Sequence, residues 1–326
     1  MPLSDDELIE FFAKHENCKV SCVSRKEQEV RQRAALHRIE VALQDKRKLK
    51  LIEKITVSHD MPFENIVYRY FASKDVPIPK VYYNEYEAST EEGILLIEDM
   101  TESHRSIADW EAPIDQRKLD RIIDTVSQFH AASWDEGNTF LPHHLKSVES
   151  YLTHLDYLER DYKYFRDHQP FKLDEEQFAI YENSLSDLRQ NAQNHINRIS
   201  INDNTTRVHG DLNVNNLLYP VDEDVSPPYI IDLEAVRCGL CTEDLVMLFI
   251  HDLFHGEATL ALFDSYYASL RPRIAATYSY HQFSEDCRTA IREGIFFPMK
   301  LFTHHGVEDE ELVWKSIHAY KAFGLS

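Results

Sequence analysis

Three polar residues stand among apolar residues in two nearby segments of the sequence. The first segment, VHGDLNVNNLL, covers 208–218, and the second, IIDLE, covers 230–234. Their apolar flanks predict two buried strands that present Asp211, Asn216 and Asp232 at one mouth. One carboxylate can accept the proton of an attacking hydroxyl, while an amide oxygen and a second carboxylate can hold Mg²⁺ on the phosphates of a nucleotide. The spacing therefore predicts phosphoryl transfer.

The same residues could instead form a polar turn in which Asp and Asn cap a hairpin. The order His-x-Asp-x-x-x-x-Asn, followed by an Asp after an apolar run, favours the catalytic interpretation. It is the order of the catalytic loop and the metal-binding Asp in protein kinases, with H-R-D changed to H-G-D.

Together these segments resemble the aminoglycoside phosphotransferase and choline-kinase-like group of small-molecule kinases. Further motifs extend the resemblance over roughly residues 50–260: ENIVYRYF at 64–71, VPIPKV at 76–81, ILLIEDM at 94–100, FHAAS at 129–133 and EDL at 243–245. In combination these motifs are typical of the superfamily, but they do not indicate which substrate is used.

The resemblance implies an α+β, two-lobed, protein-kinase-like fold. The hydrophobic pattern is consistent with it, because alternating runs predict three antiparallel strands at 19–24, 34–43 and 48–57, and helical periods begin at about residue 104. Two of the predicted helices cover 240–253 and 284–301. We expect a nucleotide-binding lobe at 1–100, a hinge near 95–101, and a mainly helical catalytic and acceptor-binding lobe at 102–326.

The resemblance also implies a role for each residue of the central motifs. Asp211 would be the catalytic base or the carboxylate that orients the hydroxyl. Asn216 and Asp232 would be the magnesium ligands, and His209 would support the catalytic loop.

In the smaller lobe, Lys54 would bind the α- and β-phosphates and Glu64 would be its ion-pair partner on a helix. Lys48 and Lys50 share the strand parity of Lys54, so they remain alternatives. Backbone groups near the hinge would bind the purine edge between apolar walls. The residues implied for that binding are Glu98, Asp99 and Met100, and those implied for the walls are Ile97 and Leu233.

The net charge and the apolar content of the chain indicate which classes of binding partner are disfavoured. The chain has 326 residues and a formal net charge of −21, which disfavours nucleic acid and anionic membranes as partners. No apolar run approaches the roughly 20 residues that span a bilayer, and the N-terminus lacks the pattern of a secretory signal, so we expect a cytoplasmic protein without a membrane partner. The acidic larger lobe favours a small cationic hydroxyl acceptor, such as an aminosugar or an amino alcohol, and the pattern leaves open whether ATP or GTP is the donor.

Two other functions stay open. The segment 25–33 contains no glycine, although glycines let a backbone approach phosphates closely, so the chain could be a catalytically silent nucleotide-binding or scaffold protein on the same fold. Alternatively, zinc could bind the His-x-x-x-His pair in HDLFH at 251–255, or four thiolates from Cys18, Cys22, Cys238 and Cys241.

Overall fold

The computed structural model divides into two compact units. It describes residues 2–30, 34–57, 63–87, 89, 92–109, 115–136, 147–168, 170–223, 226–254, 256, 258–275 and 277–325. The first unit comprises residues 1–111 and 215–235, and the second comprises 112–214 and 236–326. Each unit is therefore built from two separate stretches of chain.

Most strands of the described chain lie in its first 106 residues, and most helices follow them. The strands are β1 (Val20–Val30), β2 (Ala34–Leu43), β3 (Lys48–Val57), β4 (Val81–Glu87), β5 (Glu92–Glu98), β6 (His104–Ser106), β7 (Thr206–Val208), β8 (Leu217–Pro220), β9 (Tyr229–Ile230) and β10 (Arg237–Gly239). The helices are α1 (Asp5–His15), α2 (Phe63–Phe71), α3 (Gln116–Ala131), α4 (Val148–His168), α5 (Glu175–Ile201), α6 (Thr242–Leu245), α7 (Ala258–Leu270), α8 (Tyr280–Gly294), α9 (Phe297–His305) and α10 (Glu310–Ala322).

The first unit is built on an antiparallel sheet with the strand order β1-β2-β3-β5-β4. Alternation along the strands gives the sheet two different faces. One face is covered by α1, whose Leu8 and Phe12 are fully buried against Val41, Leu51 and Leu96. Burial of each such side chain contributes roughly 1.5–3 kcal/mol, so α1 is an integral part of the sheet's core.

The strand β1 is longer than the sequence pattern predicted. It continues to Val30 and pairs with β2 as far as Ala35, with irregularities in register between Val20 and Cys22 and between Arg25 and Gln28. The expected loop at 25–33 is therefore largely strand, and only residues 31–33 between the two strands lie outside the described residues. A bulge interrupts the alternation of side chains, although the strand continues to pair beyond it. The residues after the bulge therefore lack the alternating pattern by which a strand is predicted from sequence.

A buried carboxylate fastens the N-terminal segment to the sheet. Glu53 on β3 is fully buried and accepts a hydrogen bond from the Leu3 N–H at 2.8 Å. Its other oxygen lies 3.0 Å from Arg25 Nη1 and 3.0 Å from His37 Nδ1. The Arg25 guanidinium also bonds the Leu3 carbonyl and Asp5. The segment before α1 is thus held by charge-assisted hydrogen bonds.

The second unit is mainly helical, with β7 and β10 paired as a two-stranded ribbon. The predicted helix at 284–301 is two helices, because α8 ends at Gly294 and α9 begins at Phe297. Pro298 stands in the first turn of α9, where its missing N–H breaks no helical bond. The predicted helix at 240–253 is α6 followed by a π-helical segment, Val246–Asp252. Among the described helices, none combines the length and apolar character needed to cross a bilayer.

Replacing Glu53 with Gln is expected to lower the free energy of unfolding by about 3 kcal/mol, because Arg25 and His37 lose a buried charged partner. Urea-induced unfolding measures this change. The matched control is Glu40→Gln on β2, whose carboxylate pairs with the exposed Lys48 and whose loss should leave the unfolding midpoint nearly unchanged. Equal effects of both substitutions would contradict the role assigned to Glu53.

Candidate functional site

The face of the sheet opposite α1 forms one wall of a cavity of about 980 Å³ inside the first unit. Apolar side chains from β2, β3, β5 and β8 and from residue 231 surround it, and a cluster of charged side chains lies at one end. Arg38, Glu98 and Arg105 also line the cavity. The apolar lining includes Leu36, Ile52, Leu95, Ile97, Leu218 and Ile231, and the charged end includes Lys54, Glu64, Asp232 and Glu234. A mostly apolar cleft with a few convergent polar groups is the usual form of a small-molecule site.

Lys54 projects into this cavity from β3, where its backbone lies between Leu36 and Leu95. Its Nζ is 2.8 Å from both carboxylate oxygens of Glu64 and 3.1 Å from Asp232 Oδ1. Burial opposes the charged form, but the two carboxylates outweigh burial and raise the pKa of Lys54 above its ordinary value. The ammonium group therefore stays charged at neutral pH.

Lys48 and Lys50, the alternatives to Lys54, are engaged elsewhere. Lys48 Nζ lies 2.8 Å from Glu40 and Lys50 pairs with Glu102, both at exposed positions. Neither residue lines the cavity.

Asp232 holds an unusual backbone conformation. Its φ is +63°, in the left-handed region that Asp tolerates better than most residues. Its backbone hydrogen-bonds the hydroxyl of Tyr68, which is buried on α2 one turn after Glu64. The helix α2 thus supplies both the carboxylate that pairs with Lys54 and the group that fixes the backbone at Asp232.

Asn216 lies beside Asp232 in the first unit. It directly precedes β8, whose Leu217 pairs with Ile230 of β9, and the Asn216 carbonyl accepts a hydrogen bond of 3.0 Å from the Ile231 N–H. Because β8 and β9 are antiparallel, Asn216 and Asp232 stand at the same end of the pair. The side chain of Asn216 is buried and lines the cavity.

The predicted hinge residues are placed in two ways. Ile97, Glu98 and Met100 line the cavity. Asp99 does not, because its N–H donates to the Lys50 carbonyl at 2.9 Å and its carboxylate faces the Arg38 side chain at 3.5 Å. The Glu98 N–H is also used, by the Lys80 carbonyl at 2.9 Å. Among the described residues, the Met100 N–H has no hydrogen-bond acceptor.

Leu233 does not form a cavity wall, contrary to the sequence-based expectation. It is fully buried and begins the short 3₁₀ turn Leu233–Ala235, which packs against α2. The left-handed backbone at Asp232 turns the chain, so the apolar wall comes from Ile231 instead.

The second unit holds the segment that contains His209 and Asp211. The carboxylate of Asp244 accepts hydrogen bonds from the backbone N–H groups of His209 at 2.6 Å and Gly210 at 2.9 Å. His130 Nε2 lies 2.9 Å from the same carboxylate. Gly210 has a φ of +78°, a conformation that glycine adopts without a steric penalty, which accounts for glycine at this position.

The chain is fastened again just beyond Asp211. The Val214 N–H donates to Asp252 Oδ2 at 2.8 Å, and the Asp211 N–H faces His209 Nδ1 at 3.3 Å. Asp211 itself is exposed, whereas His209 is fully buried. Two carboxylates from the continuous segment 242–252, Asp244 and Asp252, therefore hold the backbone on both sides of an accessible Asp211.

Sequence reasoning did not assign a role to Asp244 or Asp252. In the sequence, Asp244 stands out only as part of the Glu-Asp-Leu motif, and Asp252 only as part of a possible zinc-binding segment. Both carboxylates bind backbone N–H groups of a distant segment. Contacts of this kind do not require particular side chains in that segment, so the sequence shows no pattern for them. The structure itself carries a sign of function here: the segment that ends at Asp252 is π-helical, and π-helical turns are frequent at functional sites.

Among the described residues, no group of three or more His, Cys, Asp or Glu side chains is placed to hold a metal ion, so Cys18, Cys22, Cys238 and Cys241 do not form a four-thiolate site. Cys238 and Cys241 are buried free thiols, while Cys22 is an exposed one. His251 is buried within the π-helical segment, and His255 lies outside the described residues.

The comparison with protein families identifies the chain. Residues 33–281 match the model of the phosphotransferase enzyme family, the family that includes aminoglycoside phosphotransferases. The chain belongs to this family, and the resemblance inferred from its motifs is confirmed. No curated protein matches the chain.

Solved structures show the same fold. One is a candidate fructosamine-3-kinase from Thermobifida fusca YX-ER1, with 17% identity, a TM-score of 0.50, and coverage of 99% of this chain and 100% of that chain. Another is a thermostable mutant of the aminoglycoside phosphotransferase APH(4)-Ia in a ternary complex with AMP-PNP and hygromycin B, with 12% identity, a TM-score of 0.51 and 97% of each chain covered. The expected α+β, protein-kinase-like fold class is confirmed.

The charge of Asp244 should make stability depend on pH. Burial opposes ionisation, but hydrogen bonds from His130 and from the His209 backbone outweigh it and lower the pKa of Asp244 below its ordinary value. A carboxyl group with a depressed folded-state pKa stabilises the fold above its unfolded pKa, and that contribution is lost as the pH falls through the folded value. We expect Asp244→Asn to lower the free energy of unfolding by about 3 kcal/mol at pH 7, because a buried, hydrogen-bonded charge is removed.

Urea unfolding at a series of acidic pH values tests this expectation. The difference between the native chain and Asp244→Asn should shrink as the medium becomes more acidic. Asp120→Asn, at an exposed position on α3, is the control and should follow the native chain throughout. A difference that does not change with pH would show that the Asp244 charge is not the stabilising element.

Proposed function

We propose that the protein is a Mg²⁺-dependent phosphotransferase that moves the γ-phosphoryl group of ATP or GTP to a hydroxyl of a small molecule. The observation that carries this proposal is the ion cluster of Lys54, Glu64 and Asp232 at the charged end of the cavity in the first unit. Family membership supports the reaction class.

The apolar part of the cavity suits a purine base. Ile52, Leu95 and Ile97 offer flat apolar contact, and the Met100 N–H is a backbone donor without an acceptor among the described residues. A buried donor of this kind costs free energy unless a ligand accepts its hydrogen bond. APH(4)-Ia, which shares the fold, holds the ATP analogue AMP-PNP in its ternary complex.

Lys54 would bind the phosphates. Its raised pKa keeps the ammonium charged, and Glu64 fixes the direction of the side chain. The charge thus faces the phosphate oxygens with little reorganisation when the nucleotide binds.

Asp232 and Asn216 have the chemistry for Mg²⁺, which prefers a few protein oxygen ligands together with phosphate oxygens. Both lie at the same end of the β8–β9 pair and line the cavity. When bound, the metal would neutralise charge that develops on the transferred group. The pairing of Asp232 with Lys54 keeps its carboxylate directed into the cavity.

Asp211 would act on the acceptor hydroxyl. Its carboxylate would orient the hydroxyl and take its proton while the hydroxyl oxygen forms a bond to the γ-phosphorus. The bond from that phosphorus to the β–γ bridging oxygen breaks, and the nucleoside diphosphate leaves. The hydrogen bonds of Asp244 and Asp252 would hold the backbone around Asp211 in place.

Nucleotide binding can be tested by thermal unfolding. A nucleotide with Mg²⁺ at about 100 times its Kd should raise the free energy of unfolding of the native chain by about 2.7 kcal/mol. Lys54→Met and Asp232→Ala should each lose this increase, because the phosphates and the metal lose their partners.

Each variant is compared with itself with and without nucleotide, since Lys54→Met also leaves Glu64 buried without its cation. The matched control is Lys50→Met, which removes a lysine from the same strand and the same side-chain parity but outside the cavity, and which should keep the full increase. An undiminished increase in Lys54→Met would contradict the placement of the phosphates.

Turnover tests the role of Asp211. Asp211→Asn should lower the rate of phosphoryl transfer about 10²- to 10⁴-fold, because it removes the proton acceptor, and should retain the thermal response to nucleotide. Asp167→Asn, at an exposed position on α4, should transfer phosphate at the native rate. A native chain that binds nucleotide and transfers phosphate to no acceptor would instead favour the catalytically silent scaffold.

A further inference from the structure

A chain of buried polar side chains leads from α7 to the backbone that carries Asp211. It begins at Tyr266 on α7, whose hydroxyl oxygen lies 2.6 Å from Nδ1 of His130 on α3. The other ring nitrogen, His130 Nε2, lies 2.9 Å from Asp244 Oδ2. The Asp244 carboxylate in turn accepts hydrogen bonds from the two backbone N–H groups immediately before Asp211. All three side chains of this chain are buried, so the protein itself supplies their hydrogen-bond partners.

The direction of these hydrogen bonds follows from where the protons are. The hydrogen bond from His130 and that from the His209 backbone lower the pKa of Asp244, so its carboxylate is ionised and can only accept. The proton between Asp244 and the ring therefore lies on His130 Nε2. Burial raises the pKa of Tyr266 well above its ordinary value, so the hydroxyl keeps its proton. A hydroxyl that donates to Nδ1 fixes the proton of a neutral imidazole on Nε2.

The Tyr266 hydroxyl has a second neighbour, the thiol of Cys241. Burial raises the pKa of this thiol to about 12, so the sulfur also keeps its proton. A protonated thiol can donate weakly to the Tyr266 oxygen. The hydroxyl proton of Tyr266 thus remains available for His130.

The end of α3 is also joined to β7, the strand that leads into His209. Thr206 on β7 donates a hydrogen bond from its hydroxyl to the His130 carbonyl, and its hydroxyl oxygen lies 3.0 Å from that of Ser133. These contacts fix the backbone of His130 relative to β7. They leave the orientation of the imidazole ring undetermined, and the contact with Tyr266 determines it.

The polar character of this chain is not needed to pack α3 against α7. An apolar pair would join the two helices without the desolvation that buried polar groups incur. Hydrogen bonds differ from apolar contacts in that they also set a direction. The direction of the Asp244 carboxylate matters because it sets the backbone beside Asp211, and small displacements of a catalytic group lower the reaction rate strongly.

We propose that Tyr266 is a positioning residue for phosphoryl transfer, which acts through His130 and Asp244 on the backbone of Asp211. The Tyr266 hydroxyl donates to His130 Nδ1 and keeps the ring proton on Nε2. The Nε2–H group then holds the Asp244 carboxylate in the orientation that receives the two backbone N–H groups. The inference rests on the proposed function, in which Asp211 takes the proton of the attacking hydroxyl.

Hydrolysis of ATP by the full-length chain with Mg²⁺ tests the inference, because water can replace the unidentified acceptor. A water oxygen then forms the bond to the γ-phosphorus and gives a proton to Asp211, while the bond to the β–γ bridging oxygen breaks and releases ADP. Tyr266→Phe should lower kcat about tenfold and leave KM for ATP unchanged, since the proposed nucleotide contacts lie in the first unit. The variant keeps the aromatic ring, whose centroid lies 6.0 Å from that of Phe283.

The matched control is Tyr267→Phe, at the next residue of α7. The Tyr267 hydroxyl donates to the Tyr278 carbonyl at 2.9 Å and takes no part in the chain that leads to Asp211. This variant should keep the native kcat. A general effect of removing a tyrosine hydroxyl from α7 would instead lower kcat in both variants alike.

Two further variants separate the two nitrogens of His130. A glutamine amide can occupy the position of Nε2, whereas the shorter asparagine side chain reaches only the position of Nδ1. We therefore expect His130→Gln to keep kcat within about threefold of the native value and His130→Asn to lower it about 10²-fold, because only glutamine can still donate to Asp244. Equal losses in the two variants would contradict the role of Nε2.

NMR spectroscopy supplies a measurement that does not depend on turnover. The ¹⁵N shifts of the His130 ring, assigned by their absence from His130→Gln, should show a protonated Nε2 and an unprotonated Nδ1. In Tyr266→Phe, the Nδ1 shift and the amide shifts of Gly210 and Asp211 should change, whereas in Tyr267→Phe they should match those of the native chain. A ring that carries its proton on Nδ1 would overturn the inference.

The outcomes distinguish this inference from the proposed function. A native kcat in Tyr266→Phe would overturn the inference and leave the phosphotransferase standing. If the native chain responds thermally to nucleotide but does not hydrolyse ATP, the amide shifts of Gly210 and Asp211 decide the inference, and unchanged shifts in Tyr266→Phe would overturn it. Absence of both hydrolysis and any thermal response to nucleotide would overturn the proposed function, and with it the role of Tyr266 in the reaction.

Discussion

The charge of Lys54 is the constraint on which the first unit depends. A lysine that leaves water stays protonated only if carboxylates replace the hydration it loses. Glu64 supplies one from α2, and Asp232 supplies another from a position 178 residues further along the chain. The sheet, the helix and the late segment 215–235 must therefore come together around one cation. The cavity beside them is the space that these three elements leave.

The second unit has a corresponding constraint at Asp244. Its carboxylate accepts hydrogen bonds from two successive backbone N–H groups and also contacts His130. These contacts fix the direction in which the chain leaves His209. The left-handed conformation of Gly210 completes the turn, so Asp211 is presented to solvent while His209 and Leu212 are buried. The backbone is positioned by charge-assisted hydrogen bonds, which are stronger and more directional than neutral ones.

Charge in this protein acts locally. The net charge of −21 describes the whole chain, yet the charged end of the cavity in the first unit is organised around one cation, Lys54. Lys54 is balanced there by carboxylates of its own unit and remains charged for an anionic ligand. Desolvation makes such local differences larger than they would be on an open surface.

The sequence by itself determined β2 and β3, whose predicted bounds agree with the structure, because side-chain alternation is a local property. It also singled out Asn216 and Asp232, which the structure places at the same end of the β8–β9 pair. It could not choose Lys54 over its two neighbours of equal parity, since only the register of the sheet against α2 places one of them near Glu64. The break between α8 and α9, the burial of Leu233 and the use of residues 215–235 in the first unit were likewise decided by tertiary structure. The contacts of Asp244 and Asp252 with backbone amides also depend on tertiary structure. Each of these features depends on residues far apart in the chain, and the free energy that fixes them comes from packing and burial, which no local pattern records.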